Sequence, residues 1–310
     1  MADRELKQVL IPEVLVGERV DSALSKLLGL SRTVIIDLIE VGDVTKRGKR
    51  ITKSQKVELG EHFEVLLPEV KVKGVLTPTP IDNLKVIYDD ADIIVVDKPV
   101  GVAAHASPGW EGPTVIGAII AAGYEINTSG VAERQGIVQR LDVGTSGLMV
   151  VAKNEFSYSA MKDQFRNRLV KKTYHAMIQG HMDPSEGTID APLDRHPRDD
   201  YKFAVTSGGK PSITHYRSIE FFPAVSLLEI ELETGRTHQI RVHFSALRHP
   251  LVGDLIYGAD HTLAKRLEIT RPWLHACNLE FKHSRTGSLL SFASKYPADL
   301  TRTLEILRNS

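Results

Sequence analysis

The sequence predicts an α+β protein: a large mixed, mostly antiparallel β-sheet with flanking helices, preceded by a small α/β module. Three observations lead there. Strand-like runs outnumber helical ones and do not alternate strictly with them, which disfavours a doubly wound parallel sheet. The 310 residues leave room for one large domain plus a small one. Residues 69–80 (EVKVKGVLTPTP) alternate in charge and carry a glycine and two prolines, without the periodicity of a packed element. The boundaries expected are a module over 14–70, a linker over 71–80 and a large domain over 81–310.

Composition narrows the class. Apolar residues make up 42% and charged residues 25%, ordinary for a soluble globular chain. Cys277 stands alone, so a disulfide framework and a thiolate metal cluster are excluded, and a reducing cytoplasm is expected. The start, MADRELKQVLIPE, places charges where a signal peptide needs apolar residues. No apolar run approaches the ~20 residues that span a bilayer, so no membrane partner is expected. Formal net charge is zero, so any nucleic-acid partner must be held by a local basic surface.

In the module, Val20, Leu24, Leu27 and Leu28 recur at helical spacing, with Asp21 near the start. Gly29-Leu30-Ser31 breaks this helix, and Ser31 suits the N-cap of the next. That second helix buries Val34, Ile35, Leu38 and Ile39 and ends at Gly42. His62–Leu67 is a strand bounded by Pro68. Between lies a basic run, Lys46, Arg47, Lys49, Arg50, Lys53 and Lys56, with Glu58 the first acid after it; Arg32 opens the second helix. A charge run is by default a solvated face.

In the large domain, Val86–Tyr88 and Ile93–Val96 read as a hairpin across an aspartate-rich turn, and Asp97-Lys98-Pro99-Val100-Gly101 as a sharp strand exit. Thr114–Ala122 begins a helix after Pro113, and Tyr124–Gln135 is a polar loop. Gly136–Lys153 (GIVQRLDVGTSGLMVVAK) sets a lone carboxylate, Asp142, between an apolar pair and a glycine-rich turn. Loops leaving strands carry function more often than packing; an isolated Asp before glycine is more often a turn residue. Ser157–Leu169 is a helix with Ala160, Met161, Gln164, Phe165 and Leu169 on one face. Lys171–Ile178 is a strand, Pro192–Pro211 a long polar loop, and Ile213–Phe221 and Ser226–Glu233 are strands. Thr237 is expected to cap a helix whose buried stripe is Ile240, Phe244 and Leu247, with Arg241 off that stripe. His238, His243 and His249 lack metal-ligand spacing, so no metal is expected. Leu279–Phe281 forms a last strand.

Three segments carry a resemblance: Arg140-Leu141-Asp142 with TSGL and VVAK behind it, Lys172-Thr173-Tyr174, and GRTHQIRVH over Gly235–His243. In this order they resemble the motifs of the RluA-type RNA pseudouridine synthases, with Gln139 where the usual motif begins with histidine. The helix pair and basic run resemble the αL-type RNA-binding domain of a ribosomal protein and many RNA-modifying enzymes. The resemblance implies an isomerase that breaks the glycosidic bond of a uridine in RNA and reattaches the base through C5, with no cofactor. Asp142 is then the catalytic residue, as nucleophile or as base on the sugar. Tyr174 stacks on the base, Arg241 pairs with Asp142, Arg140 helps extrude the base, and Leu274 is a candidate apolar contact to it. Lys98 approaches the RNA, and Arg32, Lys46, Arg47, Lys49, Arg50 and Lys53 hold its backbone. A monomer acting on large-subunit ribosomal RNA is expected, with transfer RNA the runner-up. Two other classes are compatible with parts of the chain: a non-catalytic RNA-binding or ribosome-assembly factor, which an intact Asp142 disfavours, and a glycosidase-like hydrolase. The latter needs a second carboxylate in a fixed pair; the nearest, Asp97 and Asp254, read as structural.

Overall fold

A computed structural model describes residues 4–309 apart from 29, 31, 68–77, 82–83, 107–109, 127 and 129–134, and apart from the side chains of Thr33 and Asp200. The chain divides into two compact units, Met1–Val75 and Leu76–Ser310. The expected helix break at Gly29, the cap at Ser31, most of the expected linker and much of the Tyr124–Gln135 loop lie outside the described residues.

In the first unit, helices α1 (Val20–Leu28) and α2 (Arg32–Val41) pack on a sheet of order β1-β4-β2-β3, formed by β1 (Leu6–Leu10), β2 (Val44–Lys46), β3 (Lys49–Arg50) and β4 (His62–Leu66). Val20 and Leu24 of α1 meet Ile35, Leu38 and Ile39 of α2 over Phe63 and Val65 of β4. Helix α2 stops at Gly42 in a left-handed conformation, φ +90°, and the next amide, Asp43 N–H, bonds back to Leu38 O. The β2–β3 turn is Arg47-Gly48, both at positive φ (53° and 70°), the two-residue geometry that matches strand twist.

The second unit is built on one large sheet of order β5-β6-β7-β14-β8-β13-β12-β9. Its strands are β5 (Lys85–Asp89), β6 (Ile93–Lys98), β7 (Ser146–Ala152), β8 (Lys171–Gln179), β9 (Glu186–Asp190), β12 (Ile213–Phe222), β13 (Val225–Leu232) and β14 (Leu274–Lys282). β15 (Leu289–Ala293) pairs with the second half of β14. The β7–β14 pair is parallel and the other pairings are antiparallel, so the expected α+β class holds. Helices α3 (Val115–Ala121), α4 (Glu155–Arg166), α5 (Gln239–Ala246), α6 (His261–Arg266) and α7 (Ala298–Arg308) flank it. Both faces of the central strands are buried: Ile94, Val96, Met149 and Val151 join the core under α3 and α5, whereas Ile93, Val95, Leu148 and Val150 join Met161 of α4. That is why these strands read as unbroken apolar runs rather than alternating ones. No helix among the described residues is long and apolar enough to cross a membrane.

Some local expectations are corrected. Pro192–Pro211 is not simply a loop: it holds a hairpin of β10 (Leu193–His196) and β11 (Asp199–Val205), which packs Leu193 and Phe203 on Val242 and Tyr257. Standing outside the main sheet, it needs few apolar residues and so hid in the composition. Helix α4 ends at Arg166, and Arg168 turns left-handed (φ 58°), so Leu169 leaves the expected stripe and is exposed. Helix α5 lies between the sheet and this hairpin, so all of Gln239–Phe244 is buried, Arg241 included, while Leu247 beyond its end is exposed.

Candidate active site

Three adjacent strands place the first wall of the site. The order β7-β14-β8 brings the turn before β7, the start of β14 and Tyr174 of β8 side by side, with His275 opposite Ser146 and Ala276 opposite Tyr174. Gly147 is required here: at φ +117°, a Cβ would lie 2.3 Å from Ala276 O. The Asp142 turn is closed by Thr145 N–H on Asp142 O (3.0 Å) and tied down from outside by Gly101 N–H on Val143 O (2.9 Å). Gly144 O accepts from the guanidinium of buried Arg271 (3.2 Å), which also bonds Leu274 O (3.2 Å) and both carboxylate oxygens of Asp299 (2.6 and 3.0 Å).

The second wall comes from α5. The expected cap at Thr237 is not formed; the N-cap is His238, left-handed at φ 58° and ψ 17°, with no side-chain cap bond. Gln239 does the closing instead. Its Oε1 accepts from Arg236 N–H (3.0 Å) and Thr234 Oγ1 (2.9 Å), and its Nε2 donates to Ile213 O and Thr214 Oγ1 (both 3.0 Å), fixing the helix start to β12. Thr237 Oγ1 accepts from exposed Arg140 (3.3 Å).

These walls border an open cleft lined by Arg140, Asp142, Tyr174, His238, Arg241 and Leu274, with Leu232 and Ile240 among its other neighbours. The five residues singled out here from the sequence (Arg140, Asp142, Tyr174, Arg241 and Leu274) therefore border one space. Arg241 donates from Nη1 to Asp142 Oδ2 at 3.2 Å. Its Nε and Nη2 donate to the two oxygens of Asp254 at 2.6 and 2.9 Å, a bidentate pair. Asp254 is 1% exposed and both of its oxygens are engaged, so it is no second acid for a hydrolase. The guanidinium also lies 4.8 Å from the centre of the Tyr257 ring. His238 reaches toward the same carboxylate, Nε2 to Asp142 Oδ2 3.8 Å, while Nδ1 meets the Tyr257 hydroxyl at 2.8 Å. Burial lowers the pKa of His238, with Asp142 opposing. Burial raises that of the Tyr174 phenol, and the charge of Asp142 adds to it, so the ring stays neutral.

Lys98 is not where the sequence suggested. It is fully buried, and its ammonium donates to Pro99 O (3.0 Å) and Val102 O (2.8 Å). Burial takes its pKa down to about 7, against the pull of Asp142 and with repulsion from Arg271. A lysine so placed fixes the loop whose Gly101 N–H bonds Val143 O in the Asp142 turn, rather than facing a polymer. His238, Asp254, Tyr257 and Arg271 were not assigned to the site from sequence. Gly253-Asp254 and Tyr257-Gly258 continue the resemblance along the sequence, but it gives them no role at the site.

The basic cluster of the first unit is more neutralised than its sequence suggests. Arg32 donates to buried Asp21 (2.8 Å), Lys53 pairs with Glu40 (2.8 Å), and Lys46 pairs with Glu61. Arg50 donates to Val41 O (3.3 Å) and, like Arg47 and Lys49, is exposed.

Comparison with known proteins agrees with the fold. Residues 92–246 match the family model described as RNA pseudouridylate synthase. An uncharacterized RNA pseudouridine synthase of Mycobacterium bovis is 54% identical over 99% of both chains. Ribosomal large subunit pseudouridine synthase D of Xanthomonas campestris is 37% identical over 99% of this chain and 94% of its own. The structure of human RNA pseudouridylate synthase domain containing 1 superposes with a TM-score of 0.56 at 28% identity, over 71% of this chain and 86% of that one. With family model, full-length relatives and fold in agreement, the chain belongs to the RNA pseudouridylate synthase family and is an RNA pseudouridine synthase, an isomerase.

Proposed function

We propose that the chain converts specific uridines of large-subunit ribosomal RNA, with Asp142 as the catalytic carboxylate. The observation that carries the site is Asp142 on the wall of a cleft, 3.2 Å from an arginine that Asp254 already holds rigid, with Tyr174 and Leu274 lining the same space. A uridine must leave its stack to enter, at a cost of a few kcal/mol. Stacking on Tyr174, worth ~1–3 kcal/mol, and apolar contact with Leu274 offset that. Arg140, exposed at the rim, fills the space the base vacates or steadies its phosphate. Asp142 then acts on the sugar, attacking C1′ or taking a sugar proton, and Arg241 orients it for either. The C1′–N1 bond breaks and the freed base turns; C1′ then bonds to C5, releasing Asp142 or with the sugar proton returned, while the hydrogen on C5 leaves as a proton and N1 takes one up. Ribosomal RNA is favoured by the name of the Xanthomonas campestris relative and by the small N-terminal unit, with its exposed Arg47, Lys49 and Arg50.

The test is to incubate purified protein with unmodified large-subunit ribosomal RNA and with transfer RNA transcripts, then map pseudouridine base by base. New sites in the ribosomal RNA are expected. Sites in transfer RNA alone would move the substrate assignment; none in either would remove the function proposed.

Two further outcomes follow from the structure. Deleting residues 1–75 should weaken binding of the ribosomal RNA by roughly tenfold or more and flatten its salt dependence, because phosphate contacts are lost. Filter binding across a salt series checks this, and an unchanged slope would sink the assignment of that unit to RNA. Asp299→Asn should lower kcat by on the order of tenfold with little change in KM, since Arg271 would lose a charged anchor and loosen its hold on Gly144 O beside the reacting carboxylate. Unchanged kcat, or an equal rise in KM, would show that α7 does not position the turn.

A further inference from the structure

A second cleft adjoins the first, and Arg140 and Arg236 border both. One side is the β10–β11 hairpin through Leu193, Asp194 and Phe203; the other is the Gly235–Thr237 turn, with Lys210 also lining it. Three of its lining residues are cations, and among the described residues none of the three pairs with a carboxylate: Arg140 bonds Thr237 Oγ1 and Arg236 bonds Pro211 O (3.3 Å). The one acid in the lining, Asp194, turns an oxygen back onto Arg195 N–H (2.7 Å). Lys172, which has no ion pair among the described residues, places its Nζ 3.8 Å from where a Cβ at Gly235 would lie. Cations kept apart from carboxylates, on both sides of a groove that continues from the catalytic cleft, are arranged for a diffuse anion rather than for a neutral base or for stability.

We propose that this second cleft seats the phosphodiester next to the target uridine, with Arg236 and Lys210 as its contacts. The inference rests on the function proposed above and adds a subsite to it. The ligand is a singly charged link of an RNA strand, so the contacts contribute affinity and register rather than chemistry.

The experiment uses the whole 310-residue chain and a short RNA spanning a mapped uridine, with one linkage at a time replaced by an uncharged methylphosphonate. For wild type, KM should rise about tenfold at one linkage within about two nucleotides of the uridine, as expected for one lost charge-assisted contact, with kcat retained. The double variant Arg236→Gln/Lys210→Gln should show a similar rise on unmodified RNA and no further rise at that linkage. The slope of log affinity against log salt should flatten by about 0.7, the change for one single-strand phosphate. A double variant with wild-type KM, or one that loses as much as wild type at that linkage, would overturn the subsite. Wild-type turnover of the unmodified RNA separates the two levels: its absence rejects the function, whereas turnover with no sensitive linkage rejects the subsite alone.

Discussion

Asp142→Asn is expected to bind RNA normally and to form pseudouridine at least about 10³-fold more slowly, the behaviour of a group needed only in the transition state. The replacement keeps the shape of the side chain and one oxygen for Arg241 Nη1, which lies 3.2 Å away in the native protein. Arg241 does not depend on that oxygen, because Asp254 holds it with two bonds. Removing the charge therefore leaves the walls of the cleft in place, and thermal stability should change little. Only the ability to attack a sugar carbon or accept a sugar proton is lost. Pseudouridine mapping, a gel-shift titration and a melting curve on one preparation make the check. Undiminished turnover would sink the assignment of Asp142; a collapsed melting curve would show that the carboxylate holds the fold.

Asp254→Ala should behave in the opposite way, costing stability first and activity through it. Asp254 and Arg241 are 1% and 7% exposed as side chains. Removing one partner of a buried ion pair strands the other charge and typically costs ~3–5 kcal/mol. For a unit of this size that corresponds to a drop in Tm of roughly 10 °C. Arg241 would keep Asp142 and the Tyr257 ring as partners but lose its bidentate anchor, so the guanidinium would swing toward Asp142 and disturb its aim. Differential scanning calorimetry of Asp254→Ala beside Asp142→Asn separates the roles. Equal melting temperatures for Asp254→Ala and wild type would refute the anchoring role.

The central strands and the site motifs were legible in the chain itself. Ile93–Val96 and Leu148–Val151 are continuous apolar runs because both faces of β6 and β7 are covered, and periodicity reports that locally. Asp142, Tyr174 and Arg241 stand in three short motifs, recognisable without coordinates. The hairpin over Leu193–Val205 was not legible, since its strands pack on α5 through few side chains. Nor was the cap of α5, where a left-handed histidine and an inward glutamine replaced the expected threonine.

The sequence by itself determined the class of fold, the apolar runs of the central strands and the motif that holds the carboxylate proposed to react, because each depends on residues within a few positions of one another. Tertiary structure decided which charges are available. Asp142 meets Arg241 across 99 positions, Arg271 reaches Gly144 across 127, and Lys46 is cancelled by Glu61 while Arg236 and Lys210 stay open to an anion. Coulomb attraction depends on distance in space and on exclusion of water, and both were set only when β7, β14 and β8 came together beneath α5.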